Sequence, residues 1–170
     1  YPFDGDATDQ SDNSNNGTLS TATVVNAMDT TTGWTAGRGS ISLNTTTFQE
    51  GTGAINLIKD EQDVVYNYMN TDVTSSNFTG KILNYYMYVK DQTTLDKLST
   101  VYLFIGTTNL DTARFEYHKP ASELTIGWNV ISFDVSDPDA TTGSPDIEAI
   151  DKIRININTN LATDTTVAGD

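Results

Sequence analysis

Residues 81–90 read KILNYYMYVK, and the alternation inside them decides the fold class. Leu83, Tyr85, Met87 and Val89 fall on one side of an extended chain, and Asn84, Tyr86, Tyr88 and Lys90 on the other, because successive side chains of a strand point to opposite faces. The same rhythm returns downstream. Val101, Leu103 and Ile105 alternate with Tyr102 and Phe104, and Ile153, Ile155 and Ile157 alternate with Arg154 and Asn156. Three segments that each offer one apolar face are what an antiparallel sheet over a single core requires.

Working outward, short apolar runs recur at 23–28, 39–43, 54–58, 64–69, 100–105, 114–118, 128–135 and 152–157, separated by stretches rich in Gly, Pro, Asp, Asn and Thr. Thr supplies roughly one residue in six, and it favours strands over helices. Two stretches, 94–98 and 147–150, are each long enough for about one helical turn. Many short strands with regular turn punctuation predict an all-β, antiparallel jelly-roll β-sandwich. Residues 1–22 are Asp, Asn, Ser and Gly with little apolar content after Phe3, which predicts an extended polar N-terminal arm ahead of one sandwich domain over 23–170. At 170 residues a chain buries a good core without disulfides.

The formal net charge of −14, from 23 acidic and 9 basic residues, argues against nucleic acid, whose affinity rests on neutralising phosphates with Lys and Arg. It suits divalent cations instead. With no cysteine, disulfides, zinc-thiolate sites and thiol nucleophiles are excluded. No apolar run reaches the length of a membrane-spanning helix, so membrane insertion is not expected.

Several pieces together resemble the galactose-binding-like jelly rolls of bacterial carbohydrate-binding modules and surface proteins: LNYYMYVKD, VYLFIGTTN, GWNVISFDVSD followed by TGSPD, and IDKIRININ, with MDTTTGW and FQEGTGAINL upstream. The resemblance covers most of the chain after Val24 and implies the fold more than the function. The opening YPFDGDATDQSDNSNNGT is similar to the start of laminin-G and pentraxin-like lectin domains. Jelly rolls of the resembled kind end in an apolar strand bearing a pair of Asp, and here the sequence reaches Asp170 before such a strand. That pattern implies one of two things: the sequence is a fragment of a longer chain, or the strand is supplied by something else, such as a neighbouring chain that completes the sheet. The resemblance also implies a structural calcium, with Asp29 and Glu50 at the matching positions.

Catalysis finds little support in the residues. The carboxylates sit mostly in polar turns, with no pair set in an apolar pocket. His118 is the sole histidine and has no serine elbow with it. There is no glycine-rich phosphate loop. The strongest binding candidates are aromatic: Tyr86 and Tyr88 on the outward face of one strand, Tyr102 and Phe104 on that of the next. If those strands pair, four rings gather on one face. Three readings stay open: a platform for sugar rings, ordinary cross-strand packing, or a patch covered by a neighbouring subunit or the arm. Trp128 is expected in the core. Asn16, Asn44 and Asn77 each head an Asn-X-Thr sequon and would mark surface loops in a glycosylating host.

Two functional expectations follow, both non-catalytic and both for a secreted or cell-surface protein. One is a structural or adhesive fibre subunit that self-associates by completing a neighbour's sheet. The other is a carbohydrate-binding module that presents the aromatic face to a polysaccharide.

Overall fold

A computed structural model describes residues 23–59 and 65–160. The arm predicted over 1–22, the sequon at Asn16, the lectin-like opening and the C-terminal residues 161–170 all lie outside the described residues. Ten strands carry the fold: β1 (Trp34–Arg38), β2 (Ser40–Asn44), β3 (Ala54–Ile58), β4 (Tyr66–Ser76), β5 (Ile82–Val89), β6 (Leu98–Gly106), β7 (Arg114–Pro120), β8 (Gly127–Asp134), β9 (Ala140–Thr142) and β10 (Ile150–Thr159). All pairings are antiparallel. One layer is a six-stranded sheet in the order β1-β4-β10-β6-β7-β9, and two two-stranded pairs, β2-β3 and β5-β8, supply the rest. The chain is an antiparallel jelly-roll β-sandwich.

The predicted alternation builds the core. Val101, Leu103 and Ile105 of β6, Ile153 and Ile155 of β10, Met69 of β4 and Tyr117 of β7 meet Ile131 and Phe133 of β8 in one apolar cluster. The inward residues of β8 are buried, while their partners across the pair, Leu83, Tyr85 and Met87 of β5, are half-buried, as are Ile55 and Leu57 of β3. Each strand of the two pairs is hydrogen-bonded on one side alone among the described residues.

Three local expectations are corrected and one holds. The apolar run at 23–28 is not a strand: Asn26 Oδ1 accepts the Met28 N–H at 2.9 Å and the Trp34 indole N–H at 3.3 Å, folding the segment back while Met28 takes a positive φ of 58°. The first strand is β1 instead, and Trp34, 6% exposed, is its core anchor. Trp128 is the reverse of its expectation. It stands opposite Tyr88 in the β5-β8 register and packs on that ring, centroids 5.2 Å apart, on the outward side. The stretch at 147–150 is a turn leading into β10, not a helical turn, with Asp146 Oδ1 accepting the Glu148 N–H at 2.9 Å. The helical turn expected at 94–98 does form, as α1 (Gln92–Lys97), capped by Asp91, whose side chain accepts from Thr94 N.

Candidate functional site

The outer face of the six-stranded sheet is built by the residues that alternate with the core set. Cross-strand register places them in rows. One row runs Arg38, Tyr68, Asn156, Tyr102, His118 across β1, β4, β10, β6 and β7. The next runs Thr35, Asn70, Arg154, Phe104, Glu116. Tyr66 and Asn158 extend the face on one side, and Asp72, Lys152 and Arg114 on the other. Adjacent strands lie roughly 4.8 Å apart, so Tyr68 and Tyr102, two strands apart, flank Asn156 with backbones about 10 Å from one another.

β1 reaches the face through a bulge. The register shifts between Ala36 and Arg38, and Gly37 takes up the extra residue. A Cβ at Gly37 would lie 1.8 Å from the Tyr68 ring, so the ring rests directly on backbone where only glycine leaves room.

Aromatic rings and guanidinium groups interleave. Tyr66 and Tyr68 stack with centroids 6.2 Å apart and planes 19° from parallel. Tyr102 meets Phe104 at 5.8 Å and the His118 ring edge-on at 4.5 Å. Arg38 lies over Tyr66 at 4.6 Å, Arg154 over Tyr68 at 4.3 Å and Arg114 over Phe104 at 4.7 Å. Carboxylates and amides hold the guanidiniums in place. Arg154 Nε donates to Asn70 Oδ1 at 2.6 Å and its Nη1 to Asp111 Oδ1 at 2.8 Å, while Arg114 pairs with Glu116 at 2.7 Å. Lys152 pairs with Asp72.

Two shallow clefts of about 230 and 290 Å³ open on this face, and Arg154 lines both. The larger is floored by Tyr68, Asn156 and Tyr102. Three buried polar atoms on the face have no hydrogen-bond partner among the described residues: Asn156 Oδ1, His118 Nε2 and Arg114 Nε. Asn156 is 8% exposed, and an unpaired amide oxygen at that depth is costly unless something supplies a donor.

The predicted residues divide between two surfaces. Tyr102 and Phe104 stand on the face just described, with Phe104 almost covered by Arg114. Tyr86 and Tyr88 do not join them, because β5 pairs with β8 whereas β6 pairs with β10 and β7. The two tyrosines project from the other layer beside Trp128 and Val130. The four-ring patch therefore does not form. The sequence reading missed Tyr66, Tyr68, Asn156 and Arg154, although their alternation with Asn67, Met69, Ile155 and Ile157 was a signal that they share an outward face.

Asp29 and Glu50 are brought to one loop junction. Asp29 Oδ1 accepts the Thr52 N–H at 3.2 Å, and a Cβ at Gly51, whose φ is +70°, would lie 2.1 Å from that carboxylate. Among the described residues no group of three His, Cys, Asp or Glu side chains is gathered in metal-binding fashion. Asn77 is exposed and its Oδ1 accepts the Thr79 N–H at 2.8 Å. Asn44 is half-buried, its Oδ1 accepting from Thr46 and Thr47.

No family model matches the chain, and no curated protein matches it. Among solved structures it is similar to a chain described under the promiscuous specificity of carbohydrate-binding modules from the β-sandwich superfamily, with 12% identity and a TM-score of 0.50 over 77% of this chain and 52% of that one. It is also similar to the family 11 carbohydrate-binding module from Clostridium thermocellum, solved in complex with a β-1,3-1,4-mixed-linked tetrasaccharide, with 13% identity and a TM-score of 0.52 over 81% of this chain and 83% of that one. The chain spans about half the length of the first of these. Likeness at such identities is likeness of fold.

Proposed function

We propose that the chain is a non-catalytic, extracellular carbohydrate-binding module, and that a polysaccharide lies across the outer face of the six-stranded sheet. The observation that carries the reading is the row Tyr68–Asn156–Tyr102. Two rings flank a deeply buried amide whose oxygen lacks a donor among the described residues. Aromatic rings take up the C–H surfaces of sugars, and amides and tyrosine hydroxyls take up their hydroxyls. The similarity to sandwich modules of that class favours this reading over a fibre subunit.

The test is affinity electrophoresis against a panel of soluble polysaccharides, with Tyr68→Ala and Tyr102→Ala as variants and Tyr86→Ala as the control on the opposite layer. Retardation lost in the first two variants and kept in the third is the expected result. Loss in Tyr86→Ala alone would move the site to the β5-β8 surface and overturn the assignment.

A second reading has one observation in its favour. The half-buried inward residues of β3 and β5, on strands hydrogen-bonded on one side only among the described residues, would accept an added strand from another copy. A concentration-independent monomer in analytical ultracentrifugation would remove that reading.

A further inference from the structure

Resting on the carbohydrate-binding reading, we propose that the preferred ligand is an acidic polysaccharide, whose carboxylates pair with guanidinium groups of the outer face. All three arginines of the chain, Arg38, Arg114 and Arg154, stand on this one face, in a protein of net charge −14. Lys152 projects beside them. Three carboxylates, Asp72, Asp111 and Glu116, are interspersed as their partners, and Asp139 sits on the sheet edge, where it accepts the His118 N–H. The face is thus the one described surface on which arginine gathers, while the acidic excess lies elsewhere.

Pairing does not exhaust these groups. Arg38 is exposed and has no ion pair among the described residues; its only contact of note is the Tyr66 ring beneath it. Arg154 commits Nε to Asn70 and Nη1 to Asp111, so one terminal nitrogen of its fork carries no hydrogen bond to another described residue. A guanidinium fork matches a planar carboxylate with two parallel N–H···O bonds. A neutral sugar offers hydroxyls alone, for which the amides and tyrosine hydroxyls of the face would suffice. Arg38 and Arg154 lie in adjacent rows on either side of Tyr68, so a chain stacked on that ring brings carboxyl groups within reach of both.

The experiment measures binding of the whole chain to polygalacturonate, to the same polymer after its carboxyl groups are reduced to alcohols, to mixed-linkage β-glucan and to dextran sulfate. The expected result is binding to polygalacturonate at least about tenfold tighter than to the reduced polymer, weakening as salt rises. Arg38→Gln, at an exposed position where folding can be verified by thermal melting, should weaken polygalacturonate binding alone. Arg154→Lys, which keeps the charge and removes the fork, should weaken it as well. Equal affinity for native and reduced polymer, or a preference for β-glucan that Arg38→Gln leaves unchanged, overturns the acidic-ligand inference and leaves the carbohydrate-binding reading standing. Tighter binding to dextran sulfate than to polygalacturonate overturns the carboxylate assignment. Binding to none of the four overturns both.

Discussion

The Arg154 guanidinium lies 4.3 Å from the centre of the Tyr68 ring, one strand away and one row along. The same guanidinium is pinned by Asn70 and Asp111, so the ring and the charge orient each other. A cation over an aromatic face is worth about 0.5–2 kcal/mol, depending on its exposure. A double-mutant cycle with Arg154→Gln and Tyr68→Leu, read by urea unfolding, should return a coupling energy in that range. A coupling indistinguishable from zero would mean that the two groups are neighbours without energetic connection.

Gly37 sets the position of Tyr68 by absence of a side chain. Adding a methyl there drives it into the ring, so Gly37→Ala should displace Tyr68 and weaken glycan binding about tenfold, or about 1.4 kcal/mol. Titration calorimetry on the variant checks this. Undiminished affinity would show that the ring can shift without cost.

Tyr117 is 1% exposed and donates its hydroxyl hydrogen bond to the Val135 carbonyl at 2.9 Å. Burial, and secondarily the Asp134 charge, pushes its phenol up from 10.0 to about 12, and burial pushes the Tyr85 phenol up also. In the unfolded chain both ionise in the ordinary phenol range, so their contribution is intact below about pH 10 and is lost as pH rises from there through the folded values. Urea midpoints should therefore hold steady up to about pH 9.5 and fall above pH 10. Tyr117→Phe should cost about 1–3 kcal/mol at neutral pH, because the Val135 carbonyl is left without its donor, and should flatten the alkaline fall. An alkaline profile unchanged in the variant would assign the slope to other groups.

The calcium expectation rests on Asp29 and Glu50. Calcium takes roughly six to eight oxygen ligands, so loop carbonyls and water would have to join the two carboxylates. Saturating Ca²⁺ should raise the melting temperature of chelator-treated protein, equivalent to about 2.7 kcal/mol at a hundredfold excess over Kd, and Asp29→Asn should abolish the rise. Indifference of the native chain to calcium would dispose of this site.

How much was legible in advance differs from element to element. The period-two pattern of β5, β6 and β10 was readable because the side that faces the core must be apolar along the whole strand, whatever its neighbours are. The same local rule failed at residues 23–28, where one asparagine side chain ties the backbone to Trp34. It failed again at β9, a three-residue strand inside a Pro- and Gly-rich stretch, held by pairing to β7 and not by its own preference.

The sequence alone determined the class of fold, the inward residues, the lack of thiol chemistry and the strong negative charge, since each depends on composition or on neighbours within a strand. Which rings share a surface was decided only by tertiary structure. Tyr88 and Tyr102 are closer in sequence than Tyr68 and Asn156, yet the first pair is divided between layers and the second lies side by side. The physical reason is that β10, last of the described strands, inserts between β4 and β6. Strand order follows from how the apolar faces close over one core, and no local run of residues encodes which two strands will accept a third between them.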